Sequence, residues 1–82
     1  MKISVEMSLY PLSDDFLDII TATIERLAKE ANVTVHTNQM STQITGEFDA
    51  VMSVVRSEVL ATFQQHDKAV FVCKFLNKAI DL

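Results

Sequence analysis

The first segment of the chain constrains the fold more than any other feature. From Lys2 to Tyr10 polar and apolar residues alternate, a two-residue period that is typical of a β-strand with one buried face. Proline has no amide hydrogen for a strand ladder, so Pro11 marks the end of this strand. The alternation predicts two faces: Ile3, Val5, Met7 and Leu9 towards a core, and Ser4, Glu6, Ser8 and Tyr10 on the opposite side.

Changes in periodicity locate the remaining elements. Ser13-Asp14-Asp15 is typical of a helix start, because a hydroxyl can cap the first turn and acidic residues favour its positive end. A turn at Asn38-Gln39 joins two further strands, and His66-Asp67 ends the second helix. We therefore expect helices over 16–31 and 49–65 and strands over 2–10, 33–37, 40–47 and 69–76.

Both predicted helices carry apolar residues at helical spacing, which is typical of helices that pack on a sheet. Asn32 is expected to end the first helix in a left-handed conformation, and the only glycine, Gly46, to meet a conformational need between strand and helix. The first stripe comprises Phe16, Leu17, Ile20, Ile24, Leu27 and Ala31; the second comprises Met52, Val55, Val59 and Phe63, extended by Phe48 and Val51.

The order of these elements predicts a ferredoxin-like βαββαβ sandwich of the α+β class. Right-handed crossovers would place both helices on one face of a four-stranded antiparallel sheet. A chain of 82 residues is long enough for one domain, so we assign 1–82 to a single domain. Residues 77–82 form a tail for which the sequence predicts no structure.

Charge and composition disfavour several classes of function. The net charge of -4 and seven scattered Lys and Arg residues disfavour nucleic-acid binding. No apolar run reaches the ~20 residues of a membrane span, and no signal peptide is recognisable, so we expect a cytoplasmic protein without a membrane partner. The lone Cys73 excludes an internal disulfide, while His36 and His66 lack ligand-spaced partners, so no metal site is predicted. No catalytic Ser-His-Asp or Cys-His set stands out, so we expect no enzyme activity.

The last predicted strand, 69–76, is apolar on both sides. A single layer of helices covers only one face of a sheet, so something else must cover the other face of this strand. The simplest cover is a second copy of the chain. We therefore expect a homodimer or homotetramer that assembles through the open sheet face or an edge strand.

Polar residues gather around the predicted hairpin and can bind a small polar ligand if a pocket lies there. Asn38, Ser41 and Thr42 can supply hydrogen bonds, and Met40 and Tyr10 can clamp a flat ring. These residues also have ordinary interpretations. Ser41 and Thr42 can be plain strand residues, Asn38 a turn residue, and Tyr10 the end of a strand.

Two sequence blocks resemble the thiamine-binding protein family, whose small ferredoxin-like domains occur singly or as the tandem pair of YkoF-type proteins. The blocks are Val5 to Leu12, which reads VEMSLYPL, and Thr37 to Glu47, which reads TNQMSTQITGE. The resemblance implies binding of thiamine or its hydroxymethylpyrimidine portion, assembly into dimers or tetramers, and no catalysis.

The resemblance also suggests how the ligand is held. Tandem members carry an acidic residue in place of Asn38, which would accept from the exocyclic amine of an aminopyrimidine; Asn38 can accept through its carbonyl. Glu6, Glu47 or the ring of Tyr10 can serve a thiazolium cation, although Glu6 can equally be a satisfied interfacial charge. The predicted ligand-binding set is Asn38, Ser41, Thr42, Met40, Tyr10, Ser8, Glu6 and Glu47, with no catalytic residue, metal ligand or cofactor. The alternative function is a structural or regulatory oligomerisation module whose pocket is vestigial or takes a different ligand.

Overall fold

A computed structural model describes residues 1–81, so Leu82 of the expected tail lies outside the described residues. α1 ends at Ala28 instead of Ala31, and β3 begins at Thr42 instead of Met40. The order of elements agrees with the prediction. The elements are β1 (Lys2–Pro11), α1 (Phe16–Ala28), β2 (Thr34–Thr37), β3 (Thr42–Glu47), α2 (Phe48–Gln65) and β4 (Ala69–Leu76).

The four strands form one antiparallel sheet in the order β2-β3-β1-β4. Val5 on the central strand β1 lies opposite Ile44 of β3 on one side and Phe75 of β4 on the other. Side chains from both helices pack into the same core as these strands. The ferredoxin-like α+β fold, with both helices on one face of the sheet, is therefore confirmed.

The core lies between the sheet and the helices, on the face of β1 that the alternation predicted. Burying an aliphatic side chain of this size contributes about 1.5–3 kcal/mol, so this layer is the main source of folding energy. Leu9, which the same pattern placed inside, is only half-buried because it borders a cavity. The buried cluster comprises Ile3, Val5, Met7, Leu27, Ile44, Val51, Val54 and Val55.

The predicted face of α2 is partly wrong. Met52, Phe63 and Phe48 are exposed, while the helix turns Val54, Glu58 and Thr62 inwards beside Val51 and Val55. Two of the inward residues are polar. The spacing of apolar residues therefore predicted a neighbouring stripe of the helix as its buried face. Glu58 is accommodated because its carboxylate accepts hydrogen bonds from an α1 arginine, Arg26.

The predicted face of α1 is partly wrong. The residues that this helix buries are Ile19, Thr23 and Leu27. Of the predicted stripe, Leu27 is buried, Ile20 and Ile24 are half-buried, and Leu17 is 66% exposed. The buried stripe is therefore displaced from the predicted one, and the half-buried Ile20 and Ile24 border the candidate site.

Three local predictions need correction. Ser13 donates to the Asp15 carboxylate at 2.6 Å, and no side chain caps the start of α1. None of the described residues has a positive φ, so neither Asn32 nor Gly46 is left-handed. A Cβ at Gly46 would lie 3.2 Å from Cγ1 of Val33, a tight contact that a small shift of the valine side chain would have to relieve.

The tail has a defined position on the open face of the sheet. Ser4 donates to the Lys78 carbonyl at 2.8 Å, and its oxygen accepts from the Ile80 amide at 3.0 Å. The Thr45 hydroxyl lies 2.9 Å from the same oxygen. These contacts bury Ser4, which the alternation had placed on an uncovered face.

Candidate functional site

The candidate site is a cavity between α1 and the sheet, closed at one side by the loop 38–41 that joins β2 to β3. Its volume is about 130 Å³. Ile20, Ile24 and Leu27 of α1 form one wall.

A side chain at the start of the loop determines the loop conformation. The Asn38 side-chain oxygen accepts from the amides of Met40 at 2.8 Å and Ser41 at 3.0 Å. The backbone amide of Asn38 in turn donates to the backbone carbonyl of Ser41 at 3.0 Å. Both lone pairs of the side-chain oxygen are therefore used, so Asn38 can offer a ligand only its N–H donors. The expectation that its carbonyl accepts from an exocyclic amine does not fit this geometry.

Neighbouring hydroxyls at the start of β3 point in different directions. Ser41 donates to Oε2 of Glu6 at 3.0 Å and accepts from Gln43 at 2.7 Å, so its hydroxyl joins the polar groups of the open sheet face. Thr42 is buried on the helix side, where its hydroxyl lies 3.1 Å from that of Thr37. Asn38, Ser41 and Thr42 all line the cavity, as the sequence predicts, although the hydroxyl of Ser41 is bonded to groups of the open sheet face.

Two threonines that the sequence analysis missed complete the polar lining. Thr37 faces the cavity from the end of β2, and Thr23 faces it from α1. Alternation along β2 could have identified Thr37, because it shares a face with the partly buried Val35. Thr23 gave a weaker signal, a single polar residue within the apolar stripe of α1.

Apolar side chains make up the rest of the cavity wall. Leu9 and Met7 line it from β1, and Phe71 lines it from β4. The ring of Phe71 is 5.9 Å from that of Phe63 on α2, so this wall is supported from behind. A flat ring bound here would lie between aliphatic and aromatic surfaces.

Three further predicted residues border the cavity: Ser8, Tyr10 and Met40. Tyr10 and Met40 are exposed, with 85% of Met40 accessible to solvent. Both therefore suit a position at the mouth, where they would contact the part of a ligand that leaves the cavity.

Glu6 lies on the open face of the sheet and does not line the cavity. Its carboxylate accepts from Ser41 and from Gln43, and Lys74 lies 3.7 Å from its second oxygen. The hydrogen bond from Ser41, followed by that from Gln43 and the charge of Lys74, holds the pKa of Glu6 below its usual range. Glu6 therefore supports the loop from outside, and the structure does not bring it together with the predicted residues that line the cavity.

Glu47 is at the far end of β3, where its carboxylate lies 3.4 Å from the N-terminal amino group of Met1. Residues 42–47 of a strand span roughly 17 Å, so Glu47 and Thr42 cannot contact the same ring. The prediction that Glu47 binds the ligand does not fit its position.

Residues 1–81 contain no group of three His, Cys, Asp or Glu residues that could hold a metal ion. Burial raises the pKa of the Cys73 thiol, which disfavours the reactive thiolate. No helix within the same residues is long and apolar enough to cross a membrane.

A family model matches almost the whole chain. The model is that of the YKOF-related family, and it covers residues 2–77. No curated protein sequence matches the chain.

Several solved structures share the fold of this chain. A protein from Thermotoga maritima with a proposed role in thiamine biosynthesis or salvage is 20% identical, with a TM-score of 0.84 over 100% of this chain and 91% of its own. A Streptococcus pneumoniae protein is 24% identical, with a TM-score of 0.86 over 98% and 90% of the two chains. A hypothetical protein from Methanocaldococcus jannascii is 22% identical, with a TM-score of 0.79 over 99% and 84%. At these identities the similarity shows a common fold.

Proposed function

The chain belongs to the YKOF-related family, and we propose that it is a non-catalytic binding protein for thiamine or its hydroxymethylpyrimidine moiety. The family and the Thermotoga maritima relative point to a thiamine-related role. The cavity beneath α1 is the observation that supports this ligand, through its size, its walls and its polar groups.

The volume of the cavity suits one aromatic ring. An apolar cavity of roughly 150 Å³ accommodates benzene, so about 130 Å³ can hold a pyrimidine ring only with modest movement of the walls. Thiamine also has a thiazolium ring, which would then lie outside, at the mouth. Tyr10 and Met40 lie where this second ring would emerge.

The polar lining suits binding better than catalysis. Thr37, Thr42 and Asn38 have hydrogen bonds left to offer a heterocycle, whereas Tyr10 is the only titratable residue among the lining residues that the structure describes. General acid–base chemistry needs a titratable group within reach of the reacting atoms. Each neutral hydrogen bond would contribute about 0.5–1.5 kcal/mol. A few of these with one buried ring suit micromolar affinity, about -8 kcal/mol.

The position of the charges predicts how the two candidate ligands compare. No carboxylate lines the cavity, and Glu6 is bonded to Ser41, Gln43 and Lys74. The thiazolium cation would gain mainly a cation–π contact with the exposed ring of Tyr10, which contributes about 0.5–1 kcal/mol to binding at such a site. We therefore expect thiamine and hydroxymethylpyrimidine to bind within about tenfold of each other.

Isothermal titration calorimetry with both compounds tests the proposal. We expect micromolar binding, and loss of binding in Ile24→Phe, which fills the cavity from α1 with little cost in stability. Leu60→Phe adds the same volume on the exposed side of α2 and should bind normally. No heat and no melting shift at millimolar concentrations of either compound would contradict the proposed ligand.

A second candidate function, an oligomerisation module, is favoured by the exposed apolar side chains of β4. This strand is at an edge of the sheet, and Val70, Val72, Phe75 and Leu76 are all exposed, Val72 by 48%. An edge strand has unpaired backbone groups, and antiparallel pairing with its own copy is two-fold symmetric. The occupant that we propose for this surface is a second copy of the chain.

Light scattering coupled to size exclusion tests this assembly. We expect a dimer or tetramer for the natural chain and a monomer for Val72→Lys. Met52→Lys, on the exposed side of α2, is the matched control and should assemble normally. A natural chain that is monomeric at low micromolar concentration would contradict the assembly, whatever its ligand.

A further inference from the structure

We infer that Thr23 determines the ligand class of this site, because it accepts a hydrogen bond from an exocyclic amine and thereby selects amino over oxo pyrimidines. The inference rests on the proposed function, since it concerns a pyrimidine in the same cavity. Thr23 lies on α1, is 5% exposed and lines the cavity.

The hydroxyl of Thr23 can act towards a ligand only as an acceptor. Its hydrogen is donated to the carbonyl of Ile19 at 3.0 Å. One of its lone pairs accepts from Nη2 of Arg26 at 3.3 Å. A hydroxyl has one hydrogen and two lone pairs, so a single lone pair remains for a donor on the ligand.

An ion pair between the helices keeps Thr23 in this state. Nε of Arg26 donates to Oε1 of Glu58 at 3.0 Å, and Nη2 donates to the same oxygen. Glu58 is 6% exposed, and a buried carboxylate is costly without such a partner. The guanidinium is therefore held in a fixed orientation, with Nη2 also directed at Thr23. Arg26 does not line the cavity, so its role towards a ligand would be positional.

The other polar groups of the cavity are able to donate. The side-chain oxygen of Asn38 is saturated, which leaves the two hydrogens of its amide. Thr37 and Thr42 share one hydrogen bond, so one of the two hydroxyls retains a hydrogen. The cavity thus combines Thr23, whose hydroxyl has only a lone pair to offer, with neighbouring groups that can donate. A 4-aminopyrimidine presents the complementary pattern, an amine that donates and ring nitrogens that accept.

A 4-oxopyrimidine has nearly the same shape, but its carbonyl accepts where the amine donates, and one of its ring nitrogens carries a hydrogen where the amino compound has a lone pair. Its carbonyl would face the lone pair of Thr23, and neither oxygen has a hydrogen to share. A site that leaves a buried polar group unpaired rejects such an analogue far more strongly than a site that differs only in size. The preference for amino over oxo is therefore the signature of the role that we assign to Thr23. A threonine that merely bonds to its own helix, an ordinary arrangement, would give no such preference.

Calorimetric titration with hydroxymethylpyrimidine and with its 4-oxo analogue tests the inference. We expect the natural chain to bind the amino compound at least about tenfold more tightly. Thr23→Val should weaken binding of the amino compound about tenfold and abolish the preference, because valine keeps the shape and removes the acceptor. Thr23→Ser should retain the preference. The matched control is Thr62→Val, a buried threonine of α2 that does not line the cavity and should bind both compounds as the natural chain does.

The outcomes separate this inference from the proposed function. If the natural chain binds neither pyrimidine, the proposed function fails, and the inference fails with it. If it binds both pyrimidines equally, or if Thr23→Val keeps the preference, the inference is overturned and the proposed function stands. Equal binding by the natural chain overturns the inference even if Thr23→Val does not fold.

Discussion

The two helices of this fold pack on the sheet in different ways. Under α2, Val51, Val54 and Val55 are buried and close over the central strands. Under α1, Leu27 is buried as well, but a cavity lies beside it, and Ile20 and Ile24 are only half-buried at its wall. Two similar βαβ halves thus have different roles: one supplies the packing that stabilises the fold, and the other gives up packing to make a cavity.

Truncating one aliphatic residue in each half tests this contrast and should give the largest effect. Ile44→Ala removes a fully buried side chain from the closed region, so we expect a loss of about 2–5 kcal/mol in the free energy of unfolding. Ile20 borders the existing cavity. Ile20→Ala should therefore lower the free energy of unfolding by about 1 kcal/mol or less, because little new unfilled volume is created beside space that solvent already reaches. Urea denaturation of both variants measures the difference. Equal losses would show that the α1 half is as tightly packed as the α2 half.

Replacing a buried threonine in each helix tests the same contrast, and the expected changes in stability are of intermediate size. Thr62 is fully buried under α2, and its hydroxyl has no hydrogen-bond partner among the described residues, so Thr62→Val should stabilise the protein by about 1 kcal/mol. For a domain of this size that corresponds to a rise in melting temperature of about 4–8 °C. Thr23→Val should lower the melting temperature instead, because it removes two hydrogen bonds. A fall in both variants would indicate that the hydroxyl of Thr62 is satisfied.

The smallest expected effect concerns the loop that closes the α1 half. Glu6 holds this loop from the open face through Ser41, and these hydrogen bonds lower the pKa of Glu6 in the folded protein. A lowered folded pKa means that the contribution is fully present above the ordinary value of 4.5 and is lost as the pH falls through the folded pKa. Glu6→Gln should therefore melt slightly below the natural chain at neutral pH, and the two curves should converge in acid. A difference that is independent of pH would assign the effect to packing instead of charge.

The sequence was sufficient to predict the order of the elements and the core face of β1. Local rules determine these features. In a strand with one buried side, the alternating Ile3, Val5 and Met7 all lie on the same side, which must be the buried one. The polar residues around the hairpin predict one pocket for Ser41 and Thr42, and both line the cavity. The hydrogen bond from Ser41 to Glu6 could not be predicted, because it joins residues far apart in the chain.

Tertiary structure alone decided the face of α2, the position of the tail and the polar groups of the cavity. Glu58 and Thr62 point inwards although they are polar, because Arg26 on the other helix satisfies Glu58. Thr23 is a site residue because the fold places α1 opposite β1 and the loop 38–41, around one cavity. Such outcomes depend on contacts between residues far apart in the chain, whereas periodicity reports only on neighbours within one element. The sequence by itself therefore determined which segments pair and pack, and the contacts between packed segments decided where a ligand could enter.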